Sequence, residues 1–428
     1  MSDDIVIPLP YGDTNLSFRL PRRNLLGVMT PADVPAAADP AALVRQALRE
    51  PVGRPPLRDL VRAGQRIVII VDDMTRPTPQ HILLPPLLEE LEAAGRNLHI
   101  EILIATGTHR PMTPAEIERK VGRQVISAYP VINHDAMDRA NLMYLGTTPN
   151  GTPIVVNRRV VEADLVVAVG NTVPHCLAGW SGGAKIIQPG VCGEETTHHT
   201  HALNMYSPVP HLGRLDNPVR QEIEAIVQRV RLDCMINTVL NAQAEVVHVV
   251  AGDPYHSHRR AVELATPIWV RPVPVMPDIV VISSHPADLD YWQGVKALYA
   301  AELVVKRGGD IILVSPCWEG ISTNPHHLEA MRLAQGLPSK AIRHEAARRG
   351  FTDWTGLNTA VVAARVNELA YVQMVTSGLC DDDLAVVGHA PAESIEAGLA
   401  RAFARQGEHA KVLVITHGGD LCPVLRPE

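Results

Sequence analysis

Residues 174–201, with the sequence PHCLAGWSGGAKIIQPGVCGEETTHHTH, carry side chains that could hold a phosphate-bearing cofactor, tether it and ligate a metal. Gly182 and Gly183 belong to a glycine-rich turn, and glycine lets backbone N–H groups approach an anion closely. Lys185 lies just past this turn, although the spacing is not that of a P-loop. His201 follows on a predicted helix. The segment therefore predicts a cofactor site, with a solvated surface lysine as the alternative for Lys185.

Two histidines, His109 and His175, follow predicted strands and could serve as acid/base groups. A lone histidine at a strand end is more often a hydrogen-bonded loop residue. In a parallel sheet, however, strands end at the same edge, so both imidazoles could face one cleft. Inverting a carbon centre needs a base on each face, and histidine titrates near neutral pH. The pair predicts acid/base chemistry at a stereocentre.

An anion clamp is predicted where the sequence DDMTRPTP follows a strand-like run. Arg76 could bind a carboxylate or phosphate, because guanidinium grips such anions in a bidentate fork. Asp73 and Thr75 would then hydrogen-bond a cofactor or orient the arginine. A purely structural turn is the alternative, since acids and prolines commonly form turns.

Gln293 and Lys296 lie three residues apart at the start of a predicted helix, so they project from one face. Across a cleft they could bind the hydroxyl and carboxylate groups of a substrate. The alternative is an exposed amphipathic helix.

Short apolar runs alternate with helical patterns along the whole chain. The strand-like runs include RIVIIVDD, LHIEILIATG, ADLVVAVG, DIVVIS, DIILVSP, YVQMVTS and KVLVIT. This alternation predicts an α/β fold of two domains, each with a mainly parallel sheet flanked by helices, and an active site in the cleft between them. We expect an N-terminal cofactor-binding domain at 1–270 and a C-terminal domain at 271–428, whose last residues return to the first. Residues 266–277, with four prolines, are predicted to be the linker.

Composition limits the function classes. A chain of 428 residues exceeds what one hydrophobic core usually serves. The net charge is −7 and there is no block of basic residues, which argues against a nucleic-acid partner. The acidic N-terminus has no signal-peptide pattern, and no apolar run reaches the about 18 residues of a membrane span. We therefore expect a cytoplasmic protein. The six cysteines form no C-x-x-C pair, so no disulfide framework or cysteine zinc site is expected.

Four separated segments together resemble one known family. They are the segment at 174–201, DDMTRPTP at 72–79, GTHRPMTPAE at 107–116 and YWQGVK at 291–296. In order and spacing they are similar to the motifs of the nickel-pincer nucleotide-dependent lactate racemase family, which racemises or epimerises 2-hydroxy acids. The resemblance extends over nearly the whole chain.

The resemblance implies a cofactor and the residues that hold it. The cofactor would be a pyridinium-3-thioamide-5-thiocarboxylate mononucleotide carrying nickel, joined to Lys185 through a thioamide. His201 would supply the protein's nickel ligand, while His198 and His199 have no role that carries over. The family pattern also places Asp73, Thr75 and Arg76 at the cofactor. Other proteins would have to make the nucleotide, so cofactor-biosynthesis partners are expected.

The resemblance also implies a mechanism. His109 and His175 would each remove the hydroxyl proton from one enantiomer while the C2 hydrogen leaves as hydride to the cofactor. Return of the hydride to the other face of the 2-keto acid gives the inverted product. Trp292 stands where lactate-specific members have tyrosine, so the substrate stays open among lactate, malate, aromatic and sugar acids. The oligomeric state also stays open.

Two other function classes remain open from the sequence. Ser181 lies in a G-x-S-x-G pattern, which is typical of the nucleophile elbow of serine hydrolases. An elbow needs its serine directly after a strand, whereas here NTVPHCLA follows the strand that is predicted to end near Gly170. The third class is a non-catalytic carrier of nickel or a nucleotide, which would leave the paired histidines and the anion clamp unexplained.

Overall fold

The structure is a computed structural model that describes residues 4–205, 207 and 210–426. Its strands, in chain order, are β1 (Asp4–Tyr11), β2 (Thr14–Pro21), β3 (Leu25–Met29), β4 (Arg66–Asp72), β5 (His99–Ala105), β6 (Val131–Asn133), β7 (Leu142–Thr147), β8 (Pro153–Asn157), β9 (Leu165–Asn171), β10 (Pro174–His175), β11 (Gly179–Trp180), β12 (Cys234–Leu240), β13 (Val246–Gly252), β14 (Val270–Val273), β15 (Ile279–Ser283), β16 (Asp310–Val314), β17 (Tyr371–Val375), β18 (Ala390–Pro391), β19 (Val412–Ile415) and β20 (Cys422–Leu425).

The α-helices alternate with these strands. They are α1 (Pro40–Arg49), α2 (Leu57–Leu60), α3 (Gln80–Ala94), α4 (Pro114–Val121), α5 (Arg123–Ala128), α6 (Arg158–Glu162), α7 (Glu194–Met205), α8 (Pro218–Val227), α9 (His256–Trp269), α10 (Tyr291–Gly294), α11 (Lys296–Glu302), α12 (Pro325–Ala334), α13 (Ser339–Arg348), α14 (Trp354–Leu369), α15 (Asp381–Val387) and α16 (Ile395–Gln406).

The first large sheet has the strand order β13-β12-β9-β4-β5-β6, and every pair in it is parallel except β12 with β13. Its central strands β9 and β12 are buried along their whole length. Such near-continuous apolar strands need cover on both faces, which the helices provide. The carboxyl ends of β4, β5 and β9 lead directly into the predicted chemical motifs.

The second large sheet has the order β18-β17-β16-β15-β19-β3 and is parallel throughout. Together the two sheets confirm the predicted α/β class with mainly parallel sheets and flanking helices. Strand β3 comes from the start of the chain, and the β1–β2 hairpin packs Leu9 and Phe18 into the same core as Ile312. Sheet membership therefore crosses the predicted division at 270/271, because residues 4–29 pack on the second sheet.

The prediction of a linker at 266–277 was wrong. Residues 266–269 complete α9, which contains Pro267, and β14 follows at once and pairs in parallel with β20. The proline lies in the last turn of the helix, and the neighbouring Ile268 and Trp269 are buried in the core. Burial of two large apolar side chains outweighs the loss of one backbone hydrogen bond at the proline.

The two sheet units share one hydrophobic core. Val173 and Trp180 beside the first sheet belong to the same buried cluster as Val295 and Leu298 on the helices of the second. This shared core seats α10 and α11 opposite the carboxyl ends of the first sheet. No helix in the described part of the chain is both long enough and apolar enough to cross a membrane.

Candidate active site

A cleft between the two sheet units holds almost the entire predicted site. It encloses about 1130 Å³ of empty space, the part open to solvent included. The predicted site residues that line it are Asp73, Thr75, Arg76, His109, His175, Gly182, Lys185, His201, Trp292, Gln293 and Lys296. Gly183 is the one predicted site residue that does not line it. The fold thus brings together side chains that are more than 200 residues apart in sequence.

His109 forms a dyad with Asp73 at the ends of β5 and β4. The imidazole Nδ1 lies 2.6 Å from Asp73 Oδ2. Burial by itself would raise the pKa of Asp73, but the charge and hydrogen bond of His109, aided by Arg76, outweigh burial and lower that pKa. An ionised Asp73 fixes the proton of His109 on Nδ1, which leaves Nε2 as the atom that can accept a proton. Nε2 lies 3.2 Å from Gln293 Nε2.

His175 is held by backbone rather than by a carboxylate. Its Nδ1 accepts hydrogen bonds from the backbone N–H groups of Leu177 at 3.2 Å and Ala178 at 3.3 Å, so Nε2 is the ring nitrogen left for the cleft. Burial, aided by the positive charges of Arg76 and Lys296, lowers the pKa of His175 well below its ordinary value. The ring is therefore neutral at physiological pH.

Arg76 is oriented by a chain of hydrogen bonds that starts at Asp73. Thr75 Oγ1 donates to Asp73 Oδ1 at 2.5 Å, and Arg76 Nη1 donates to both the carbonyl oxygen and Oγ1 of Thr75 at 3.0 Å. This chain stiffens the guanidinium and leaves its remaining N–H groups free to bind an anion in the cleft.

Lys296 and Gln293 reach the same cleft from the opposite unit. They form a direct hydrogen bond, with Lys296 Nζ donating to Gln293 Oε1. Burial, and next the positive charge of Arg76, lowers the pKa of Lys296 to about 8. Two cations that repel each other across a cleft form a favourable place for a carboxylate.

Lys185 meets the requirement for a covalent tether. Burial, followed by the charges of Arg76 and Lys296, lowers its pKa well below the ordinary lysine value, which favours the uncharged, nucleophilic form of the amine. Within the residues that the structure describes, its Nζ has neither a hydrogen bond nor an ion pair. Lys185 is only partly buried and lines the cleft, so a group that enters the cleft could reach its amine.

His201 on α7 has the geometry of a single metal ligand. Its Nδ1 donates to the carbonyl oxygen of Thr197 at 2.8 Å, which leaves Nε2 free for the cleft. Burial lowers the pKa of His201 to about 4, so the ring is neutral and able to ligate. Nowhere in the described chain do three or more His, Cys, Asp or Glu side chains form a group that could hold a metal. Nickel here would need ligands beyond those of the protein.

The neighbouring histidines of α7 lie elsewhere. His198 Nδ1 lies 3.0 Å from Thr355 Oγ1 and 3.3 Å from Asp353 Oδ1, both on the second unit, whereas His199 is exposed to solvent. Neither lines the cleft. His198 therefore contributes to the packing between the units.

The backbone of the glycine-rich turn is already in contact with neighbouring side chains of the protein. Gly183 donates its backbone N–H to Asn237 Oδ1 at 2.9 Å, so this amide is already engaged inside the protein. A Cβ atom at Gly183 would lie 2.7 Å from His258, and both Gly182 and Gly183 have positive φ. Packing against the first sheet thus explains these glycines, and a contact of their backbone with the cofactor stays a prediction.

Ser181 is locked in a structural role. Its buried Oγ donates to the carbonyl oxygen of Asn171 at 2.7 Å and accepts from the N–H of Val173 at 2.9 Å. No histidine among the described residues hydrogen-bonds this oxygen. The arrangement lacks the base that a serine nucleophile needs.

Sequence reasoning missed two further polar groups of the cleft wall. Tyr299 and Asn358 line it, and the Tyr299 hydroxyl accepts from Asn358 Nδ2 at 3.3 Å. Asn204 Nδ2 completes this cluster with a bond of 2.7 Å to Asn358 Oδ1. Tyr299 could have been found, because it follows Lys296 by three residues on one helix face. Asn358, on the distant α14, carried no sequence signal.

Comparison with known proteins agrees with this geometry. The family model of the lactate racemase N-terminal domain matches residues 11–213, and that of the C-terminal domain matches residues 273–421. A lactate racemase of Lactiplantibacillus plantarum is 30% identical over 424 residues, which cover 97% of this chain and 98% of the relative. The lactate racemase of Thermoanaerobacterium thermosaccharolyticum is 33% identical over 321 residues, 73% of this chain and 75% of the relative.

The chain belongs to the lactate racemase family. It is accordingly an isomerase of the racemase type. The structure of the lactate racemase apoprotein from Thermoanaerobacterium thermosaccharolyticum matches with a TM-score of 0.87 and 28% identity, over 99% of this chain and 100% of that one. A Thermotoga maritima protein shares the fold, with a TM-score of 0.72 and 21% identity over 92% of this chain. The family of the chain, predicted from its motifs, is thereby confirmed.

Proposed function

We propose that the chain inverts the hydroxyl-bearing C2 of a 2-hydroxy acid by proton-coupled hydride transfer, using a nickel-pincer nucleotide tethered to Lys185. The observation that carries the proposal is the meeting of two differently held histidines, His109 and His175, with the cations Arg76 and Lys296 in one cleft. Two acid/base groups and a carboxylate site are what inversion of a hydroxy acid requires.

The residues present fit the proposed cofactor. Lys185 offers an amine of lowered pKa for the thioamide, and His201 offers Nε2 for nickel, since its Nδ1 is bonded to Thr197. Asn171, which lines the same cleft, has a buried Oδ1 with no hydrogen-bond partner among the described residues. A buried acceptor in this state favours a donor that arrives with a ligand. When bound, the nucleotide supplies a reversible acceptor for the C2 hydrogen as hydride.

The protein's own groups perform the binding and proton transfer. Arg76 and Lys296 hold the substrate carboxylate, and this anion relieves the repulsion between them. His109 Nε2 takes the hydroxyl proton of one enantiomer, and ionised Asp73 stabilises the imidazolium that forms. We assign His175 the same role for the other enantiomer. Because its Nδ1 accepts two backbone N–H bonds, the neutral ring carries its proton on Nε2, and this proton must leave before Nε2 can take one from the substrate. Because C2–H of a hydroxy carboxylate is a poor acid, loss of its hydrogen as hydride while a histidine removes the hydroxyl proton avoids a carbanion.

The proposal also covers the maturation, location and substrate of the chain. The nucleotide must be made by other proteins, so maturation depends on cofactor-biosynthesis partners, and we propose a cytoplasmic location. The substrate is a small 2-hydroxy acid. Trp292 forms part of the cleft wall, with its ring centroid 5.2 Å from that of His109. A large aromatic side chain beside the acid/base group shapes the pocket, and the substrate stays open among lactate, malate, aromatic and sugar acids.

The test is to co-express the chain with the cofactor-making enzymes and to measure intact mass, nickel content and turnover of a panel of chiral 2-hydroxy acids. We expect added mass, about one nickel per chain and inversion of at least one acid. Lys185→Ala should lose the added mass. Lys296→Ala, which removes the other amine of the cleft, should keep the mass but lose turnover. Retention of the mass in Lys185→Ala would refute the tether.

A further inference from the structure

A partly buried ion-pair network crosses the cleft next to His109. Arg110, the residue after His109, contacts Glu319 through Nε at 3.2 Å and Nη2 at 2.8 Å. It also binds Glu116 of α4, through Nη1 at 2.9 Å and Nη2 at 2.8 Å. Arg110 comes after β5 of the first sheet, whereas Glu319 lies on the loop after β16 of the second. One arginine thus joins a carboxylate of its own unit to a carboxylate of the other.

The loop of Glu319 is itself fixed to the substrate-facing helix. Glu319 donates its backbone N–H to the carbonyl oxygen of Leu289 at 2.9 Å, and Trp292 donates its own to that of Ile321 at 3.0 Å. A displacement of Glu319 would therefore carry the start of α10 with it. The next residue of this helix, Gln293, is the one that contacts His109.

We infer that Arg110 and Glu319 form a clamp that positions His109 against Trp292 and Gln293 and so holds the cleft closed for turnover. Arg110 is a positioning residue, because it acts through its neighbour His109. The bidentate contact favours one orientation of the two loops, since a guanidinium and a carboxylate meet in a fixed plane. The side chains of Arg110 and Glu319 are only 27% and 25% exposed, so water screens the pair less than at an open surface.

Glu116 supplies a matched control for Glu319. Both carboxylates bind Arg110, but Glu116 lies on the same unit and Glu319 on the other. Glutamine at position 116 would retain the capping box of α4, in which Glu116 accepts from the N–H of Thr113 at 2.7 Å. Glu116→Gln and Glu319→Gln therefore remove the same kind of charge from the same arginine, and only the second weakens the link across the cleft.

The kinetic test compares these variants as holoenzymes and rests on the proposed racemase function. Glu319→Gln should lower kcat/KM about 5- to 20-fold in both directions, whereas Glu116→Gln should stay within about twofold of the original chain. Reversal of the pair in the Glu116→Gln background, Arg110→Glu with Glu319→Arg, should recover much of what either single reversal loses there, because no carboxylate at position 116 then faces the new one at 110. Equal losses in the two glutamine variants, or no rescue by the double reversal, would overturn the clamp.

A second test does not depend on activity. Hydrogen exchange of the full chain without cofactor should be faster in Glu319→Gln at residues 107–113 and 317–323, with an unchanged melting temperature. In Glu116→Gln, exchange at 317–323 should match the original chain. Unchanged exchange at both segments in Glu319→Gln would refute the clamp even if the chain proved to have another activity. Faster exchange in Glu319→Gln, together with no racemase activity in the original chain loaded with cofactor, would instead support the clamp and refute the proposed function.

Discussion

His109 Nδ1 and Asp73 Oδ2 lie 2.6 Å apart, so the proton of this imidazole is held by a buried carboxylate. Asp73→Asn keeps the size of the side chain but removes the charge that stabilises the imidazolium. We expect kcat to fall about 10- to 100-fold, the scale of acid/base catalysis, with the cofactor mass and nickel content unchanged. Initial rates in both directions check this. Full activity in the variant would show that the carboxylate plays no part in proton transfer.

Replacing either acid/base histidine should stop both directions of the reaction, because racemisation uses both faces of the carbon. His109→Ala and His175→Ala should each cost about 100-fold or more in turnover. The exposed His199 provides the control, since His199→Ala should have no effect. Nickel content should stay the same in all three variants, because the proposed ligand is His201.

The fate of the C2 hydrogen distinguishes the proposed mechanism from proton abstraction by two bases. With substrate deuterated at C2, the inverted product should retain the label, because a hydrogen that leaves as hydride does not equilibrate with water. Mass spectrometry of the product measures this. Complete replacement of the label by solvent hydrogen would contradict hydride transfer, even if the histidines proved essential.

The lowered pKa of Lys185 should make its amine a source of instability in the chain that lacks cofactor. The folded-state pKa is lowered, so between that pKa and the unfolded value of about 10.4 the unfolded chain binds a proton that the folded chain lacks. The free energy of unfolding therefore rises with pH over this range. Lys185→Met should raise the melting temperature near pH 7, and the difference should shrink as the pH approaches about 10.4.

Lys120 provides the contrast for this stability measurement. It is more deeply buried than Lys185, and its Nζ lies 2.9 Å from Asp72 Oδ1 and donates to the carbonyl oxygen of Arg76 at 2.7 Å. Lys120→Met should lower the melting temperature, because Asp72 would stay buried without its cation. Calorimetry between pH 7 and 10 would measure the melting temperatures of both variants. A lower melting temperature for Lys185→Met at pH 7 would show that Lys185 has a partner in solution.

Ser181→Ala should distinguish the racemase from a serine hydrolase. Among the described residues, the Ser181 hydroxyl bonds only to backbone groups of Asn171 and Val173, so its loss should cost about 1–2 kcal/mol of stability and leave turnover within about tenfold. Racemisation and ester hydrolysis would be measured side by side. Ester hydrolysis that needs Ser181 and persists without nickel would refute the proposed function.

The sequence by itself determined the fold class and most of the candidate site. Runs such as RIVIIVDD and LHIEILIATG can be stable only as strands buried on both faces. The chemistry-bearing residues follow those runs directly, so strand alternation alone placed His109, His175 and Arg76 at one edge of a sheet. The roles of these residues came from the resemblance, which the family matches confirm at the level of the family.

The tertiary structure decided which distant groups meet. Local patterns did not show that β3 joins the second sheet, that the Gly183 N–H donates a hydrogen bond to Asn237, or that Glu319 forms an ion pair with Arg110. Each of these contacts joins residues more than 50 positions apart in the chain. Such pairings depend on how whole sheets and helices pack, and a short window of sequence contains neither the partner nor the distance to it.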